Sequence, residues 1–119
     1  MLCGNLYRSS LYYLDSPKIM EKHQKQVDQW FKQQGWEYWE PLAITARLFE
    51  EGGEFARLVN HIYGPKKKKL DEHKQDIEEE IGDIIYTLIC FANAHNIDLN
   101  NAIQKSIDKV VVRDKDRFK

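Results

Sequence analysis

Cysteine is scarce in this chain of 119 residues: Cys3 and Cys90 stand far apart, and Cys90 sits in an apolar run. Such a pair offers neither a disulfide framework nor the ligand spacing of a zinc site, so the expected compartment is the reducing cytoplasm. Excess charge of either sign is also missing. Eighteen Lys and Arg face nineteen Asp and Glu, for a formal net charge of -1. Nucleic-acid and anionic-membrane binders usually carry a strong basic excess, so neither partner is expected. Long apolar runs are absent, and Leu11 to Leu14 is too short for a signal-peptide core. No β-type alternation persists, and no solenoid-length repeat occurs. The length leaves room for one domain with one core.

What remains is helical periodicity. A first helix is predicted from about Pro17 to Gln34, with Ser16 as N-cap, Pro17 in the first turn and Gly35 as the stop. An aromatic link, Trp36-Glu37-Tyr38-Trp39, leads to a second helix from about Pro41 to Ile62, ended by Tyr63-Gly64-Pro65. Lys66 to Lys69 form a basic connector. Asp71 is the candidate cap of a third helix reaching about His95. Asn96-Ile97-Asp98 turns the chain, and Asp98 caps a last helix towards Phe118. The predicted fold is all-α, an antiparallel bundle of four main helices spanning residues 17–119. Residues 1–16 are expected to be a loosely attached arm, with Met20 a candidate alternative start.

The acidic residues are the informative feature. Glu51 and Glu54 form one i,i+3 pair on the second helix; Glu80 and Asp83 form another on the third. At about 100° per residue, Glu51 lies within about 20° of Ile44, Leu58 and Ile62, inside the apolar stripe. Glu54 falls at the border of that stripe, and Glu50 lies further out. On the third helix Glu80 shares a face with Ile77, Ile84 and Phe91. Asp83 marks the edge beside Thr87, while Glu78 and Glu79 point away. Each helix therefore carries one acid within its core face and a second at the margin. Surface acids in i,i+4 pairs are the plain alternative for one such motif.

Two pairs on the apolar faces of successive helices are harder to explain that way. A buried unpaired charge costs several kcal/mol, against a total stability of about 5–15 kcal/mol for a domain. Arg47 and Arg57 are the nearest cations, and Arg47 stands one turn from Glu51. A divalent cation resolves the repulsion more completely. All-oxygen ligands favour a hard ion, Mg²⁺ or Mn²⁺.

Glu50-Glu51-Gly52-Gly53-Glu54, followed by Glu80-Ile81-Gly82-Asp83, resembles the E-E-x-x-E … E-x-x-D signature of the MazG-like, all-α nucleoside triphosphate pyrophosphohydrolases. The likeness runs from about Val27 to Phe118. It takes in the Trp-rich link, Ile84-Ile85-Tyr86, Asn96-Ile97-Asp98-Leu99, and Lys109 with Arg113. This resemblance implies hydrolysis of a nucleoside triphosphate to monophosphate and pyrophosphate. It implies Mg²⁺, with Mn²⁺ as a substitute, held by Glu51, Glu54, Glu80 and Asp83. It also implies a homodimer or homotetramer of bundles, with pockets between helices that another subunit can complete.

Within that mechanism Glu50 is the candidate to orient or deprotonate the attacking water; an exposed helix acid is its plain reading. Lys109 and Arg113, one turn apart, are candidates for the triphosphate, or else complement the helix dipole. Lys66 to Lys69 read first as a solvated loop. Trp36, Tyr38 and Trp39 offer stacking surfaces for a base, or alternatively staple the first two helices together. Gly52 and Gly53 have two readings, a close helix contact or room for phosphate beside the metal. His23 and His61 lack partner spacing. A di-iron bundle would need Glu-x-x-His pairs, and the chain has none. A silent nucleotide sensor or helical interaction module, and a phosphoribosyl-ATP pyrophosphohydrolase, are the alternatives.

Overall fold

Helix-forming segments account for the architecture. A computed structural model describes residues 18–65 and 74–117. It contains α1 (Ile19–Gln34), α2 (Pro41–Tyr63), α3 (Lys74–Ala94) and α4 (Leu99–Asp114). Among the described residues there is no strand, as the missing alternation predicts. Among the described residues no helix is long and apolar enough to cross a membrane. The arm, the caps expected at Ser16 and Asp71, the connector Lys66 to Lys69, and Phe118 lie outside the described residues.

The helix ends show why the boundaries fall where they do. Gly35 takes a left-handed conformation, φ 67°, which glycine adopts without steric cost. Its N–H donates to Lys32 O and that of Trp36 to Phe31 O, at 3.1 and 2.9 Å, the two bonds of a Schellman cap. The cap folds the Trp36 ring back onto Phe31, 5.7 Å away edge-on. Pro41 opens α2, where its missing N–H has no intrahelical partner to lose. Gly64 ends that helix in an extended conformation rather than a left-handed one. Glycine is needed there for space: a Cβ would collide with the Asn60 carbonyl oxygen. Asn96 supplies the left-handed residue of the next turn, φ 55°. Asp98 caps α4 as expected, accepting from the N–H groups of Asn100 and Asn101.

α2 packs chiefly against α3, while α1 lies across α3 and α4. The core is small: Ile44, Leu58, Ile62, Ile89 and Ala92 are its buried apolar residues, with Glu51 and Thr87 buried among them. Thr87 satisfies its hydroxyl by donating to Asp83 O at 2.8 Å. Leu58, 2% exposed, is the largest fully buried side chain among the described residues. Leu58→Ala is expected to cost about 2–5 kcal/mol, readable as a lower urea midpoint with unchanged slope.

α1 is tied to its neighbours by a set of polar groups. Gln24 Nε2 donates to Asn93 Oδ1 and Ile97 O, at 3.1 and 2.8 Å, and Gln24 Oε1 accepts from Leu99 N at 3.0 Å. Asn93 Nδ2 donates to Gln24 O and to the Tyr38 hydroxyl, both at 2.9 Å. Tyr38 in turn donates to Asp28 at 3.1 Å. A part-buried amide is costly if unpaired, and here both amides find partners.

Candidate functional site

The α2–α3 contact brings the acids together. Glu51 is 7% exposed, inside the apolar stripe as the helical wheel predicts. Glu80 is half-buried and Asp83 exposed. One carboxylate oxygen from each of Glu51, Glu80 and Asp83 lies within 4.8 Å of the others. Octahedral ligands about 2.1 Å from a Mg²⁺-sized ion stand about 3.0 to 4.2 Å apart, so a small adjustment gives this triad the reach to hold one. No histidine or cysteine joins the group among the described residues.

Glu54 is not in that triad. It is exposed and accepts from Arg57 Nε at 3.3 Å. Its charge is nevertheless felt. Partial burial first, then the charges of Asp83, Glu54 and Glu51, push the Glu80 carboxyl above its ordinary pKa, and Arg57 opposes them. Glu51 accepts from Arg47 Nε at 2.6 Å, the pairing its spacing allowed. Glu50 points outward, its side chain 70% exposed and 3.8 Å from Arg47. A Cβ added at Gly52 or Gly53 would meet nothing within 4 Å, so these glycines make no close helix contact within the described chain.

Beside the triad lies a cavity of about 290 Å³. Phe31, Trp36, Tyr38 and Trp39 form one wall; Tyr86, Thr87 and Cys90 of α3 form the other; Glu51 and Asp83 line its acidic part with Arg47. Ile44 of α2 also lines it. The Tyr38 ring stacks on Phe31, centroids 4.5 Å apart and 19° from parallel. Burial is the main reason the Tyr38 hydroxyl is pushed up to about 12, with Asn93 pulling the other way, so it stays a phenol. Burial also raises the Cys90 thiol, which keeps it a poor nucleophile.

Trp36 and Trp39 thus share one cavity with two of the acids. Lys109 and Arg113 do not. Both are exposed on α4, and Arg113 is tied to Asp114 by two bonds of 2.9 Å. The cavity also draws on Glu37, Tyr86 and Cys90, none of which the sequence marked as a site residue. Only their proximity in space identifies them.

A model of the MazG nucleotide pyrophosphohydrolase domain matches residues 40–118. The chain belongs to the MazG family. It is therefore an enzyme of the acid-anhydride hydrolase class. All four motif acids lie inside the matched span, whereas Trp36 and Trp39 precede it. The Bacillus subtilis protein YpjD is 47% identical over 103 residues, covering 87% of this chain and 93% of that one. Its crystal structure superposes with a TM-score of 0.71 at 46% identity, over 79% of this chain and 96% of that chain. The Bacillus-conserved MazG protein, a nucleotide pyrophosphohydrolase, gives 0.66 at 45% identity, over 82% and 94%. The MazG match favours this branch over the phosphoribosyl-ATP pyrophosphohydrolases.

Proposed function

We propose that this MazG protein cleaves a nucleoside triphosphate, ribo or deoxy, between the α and β phosphates to give the monophosphate and pyrophosphate. The observation that carries this reading is the convergence of carboxylates from two helices beside an aromatic-walled cavity. Glu51, Glu80 and Asp83 are the proposed Mg²⁺ ligands, with Mn²⁺ as a substitute. Glu54 completes the set by leaving Arg57. A divalent ion there supplies positive charge for the phosphates and a more acidic water. Glu50, in solvent beside Arg47, is the proposed proton acceptor from that water.

Trp36 and Trp39 are the proposed base-binding surfaces, since flat apolar rings stack on any base. Loss of one stacking ring costs about 1–3 kcal/mol per base. Trp39→Ala is therefore expected to raise KM roughly tenfold or more with kcat little changed, measured by steady-state kinetics. Equal KM values for the variant and wild type would remove Trp39 from the site.

The active form is proposed to be a homodimer or homotetramer. Leu42 and Phe49 on α2 are 84% and 77% exposed, and Ile81, Ile85 and Leu88 form an exposed stripe on α3. Apolar stripes of this kind on a small core mark association surfaces. Lys109 and Arg113, away from the cavity of their own chain, are proposed to reach phosphate only across such a boundary.

The test is a panel of canonical, deoxy and modified triphosphates with Mg²⁺, Mn²⁺ or chelator, scoring pyrophosphate against orthophosphate. Metal-dependent pyrophosphate release is expected. Orthophosphate alone would show that a different bond is cut, and no release would favour a nucleotide-sensing module.

A further inference from the structure

Arg47 is the single cation among the described residues that line the cavity, against the acids Glu37, Glu51 and Asp83. Its side chain is half exposed. Nε holds Glu51 at 2.6 Å and Nη1 faces Glu50 at 3.8 Å. A guanidinium carries five N–H donors in a planar fork, so these contacts leave most of its capacity unused.

The same Glu51 carboxylate belongs to the triad that fits a divalent ion. Two cations on one carboxylate repel each other, and at equal distance a dication attracts it twice as strongly as a guanidinium. A displaced Arg47 would remain at the cavity wall, where its fork matches the geometry of a phosphate.

We propose that Arg47 is a substrate-binding residue for the triphosphate, neutralising Glu51 before a divalent cation binds and turning its guanidinium to a phosphate afterwards. This rests on the reading of the site as a triphosphate pyrophosphohydrolase. The plain alternative is a fixed counter-ion that only keeps buried Glu51 paired. The two differ in sign. A fixed counter-ion, once removed, disorders the triad and weakens metal and nucleotide binding together. A competing cation, once removed, lets metal bind more tightly while nucleotide binds less well.

The experiment is calorimetric titration of wild type, Arg47→Gln and Arg47→Lys. Mn²⁺ alone is titrated first, then the α,β-methylene analogues of the four deoxynucleoside triphosphates in excess Mn²⁺. Arg47→Gln is expected to bind Mn²⁺ several-fold more tightly and the best analogue at least tenfold more weakly. Arg47→Lys keeps the charge and loses the fork. It should restore wild-type Mn²⁺ affinity and leave the analogue several-fold weaker. If Arg47→Gln does not fold, judged by circular dichroism, the lysine variant decides alone by that split.

Parallel weakening of both ligands, or unchanged analogue affinity, overturns the proposal while leaving the enzyme reading intact. Wild-type protein that takes up no Mn²⁺ overturns the metal reading itself, and the role of Arg47 with it.

Discussion

Glu80→Gln is expected to lower kcat by at least roughly 10²–10³-fold, the scale on which a single preorganised charge-stabilising group acts, while the folded state is kept. Partial burial and the neighbouring charges of Asp83, Glu54 and Glu51 hold the Glu80 carboxyl above its ordinary value. A carboxyl with a raised folded-state pKa keeps its proton more tightly in the folded chain than in the unfolded one. Ionisation therefore removes stability as pH rises between the unfolded and folded values, and below the unfolded value Glu80 contributes nothing.

Glutamine does not titrate in this range. The metal-free variant should melt at the wild-type temperature in acid and above it from mildly acidic pH upward. Mn²⁺ should reverse the order. An ion at one hundred times its dissociation constant adds about 2.7 kcal/mol to the wild type, and the variant, lacking a ligand, gains much less. Thermal melts across pH, with and without Mn²⁺, measure all three effects. A fully active Glu80→Gln enzyme would refute the ligand assignment.

The second large effect concerns assembly. Phe49→Glu and Ile85→Glu, tested separately, are expected to convert the proposed oligomer into monomers in sedimentation velocity. Each places a carboxylate where the proposal puts another copy of the chain. Several kcal/mol of desolvation per buried charge, at about 1.4 kcal/mol per decade, raises the dissociation constant by a factor on the order of 10³. Phe49 and Ile85 are exposed, so the monomer fold should survive the change. Wild-type protein that sediments as a monomer at micromolar concentration, or variants that stay associated, would remove this surface from consideration.

Much of this was legible in the residue string because its causes are local. Gly35, Pro41 and Asp98 act through their own backbone or side chain, and each marks a helix end where expected. The position of Glu51 followed from the wheel alone, since a helix with one apolar stripe has one way to face its core. Glu54 shows the limit of that reasoning. A border position leaves the side chain free to turn, and Arg57 one turn onward takes it. Gly64 was expected to stop α2, but the reason is the closeness of Asn60 rather than a left-handed turn. The Gln24–Asn93–Tyr38–Asp28 seam joins residues up to 69 positions apart, and no local pattern encodes such a partnership. The placement of Lys109 and Arg113 failed to follow for the same reason, because it depends on α4 lying against α1.

That seam also divides labour within the molecule. The acids are mounted on α2 and α3, whereas the aromatic wall lies in the link between the Gly35 cap of α1 and Pro41 of α2, where Asn93 of α3 donates to its Tyr38 hydroxyl. On the proposed function, bond-breaking and the choice of nucleobase sit on separate parts of the fold, so one lineage could keep the first constant while drifting in the second.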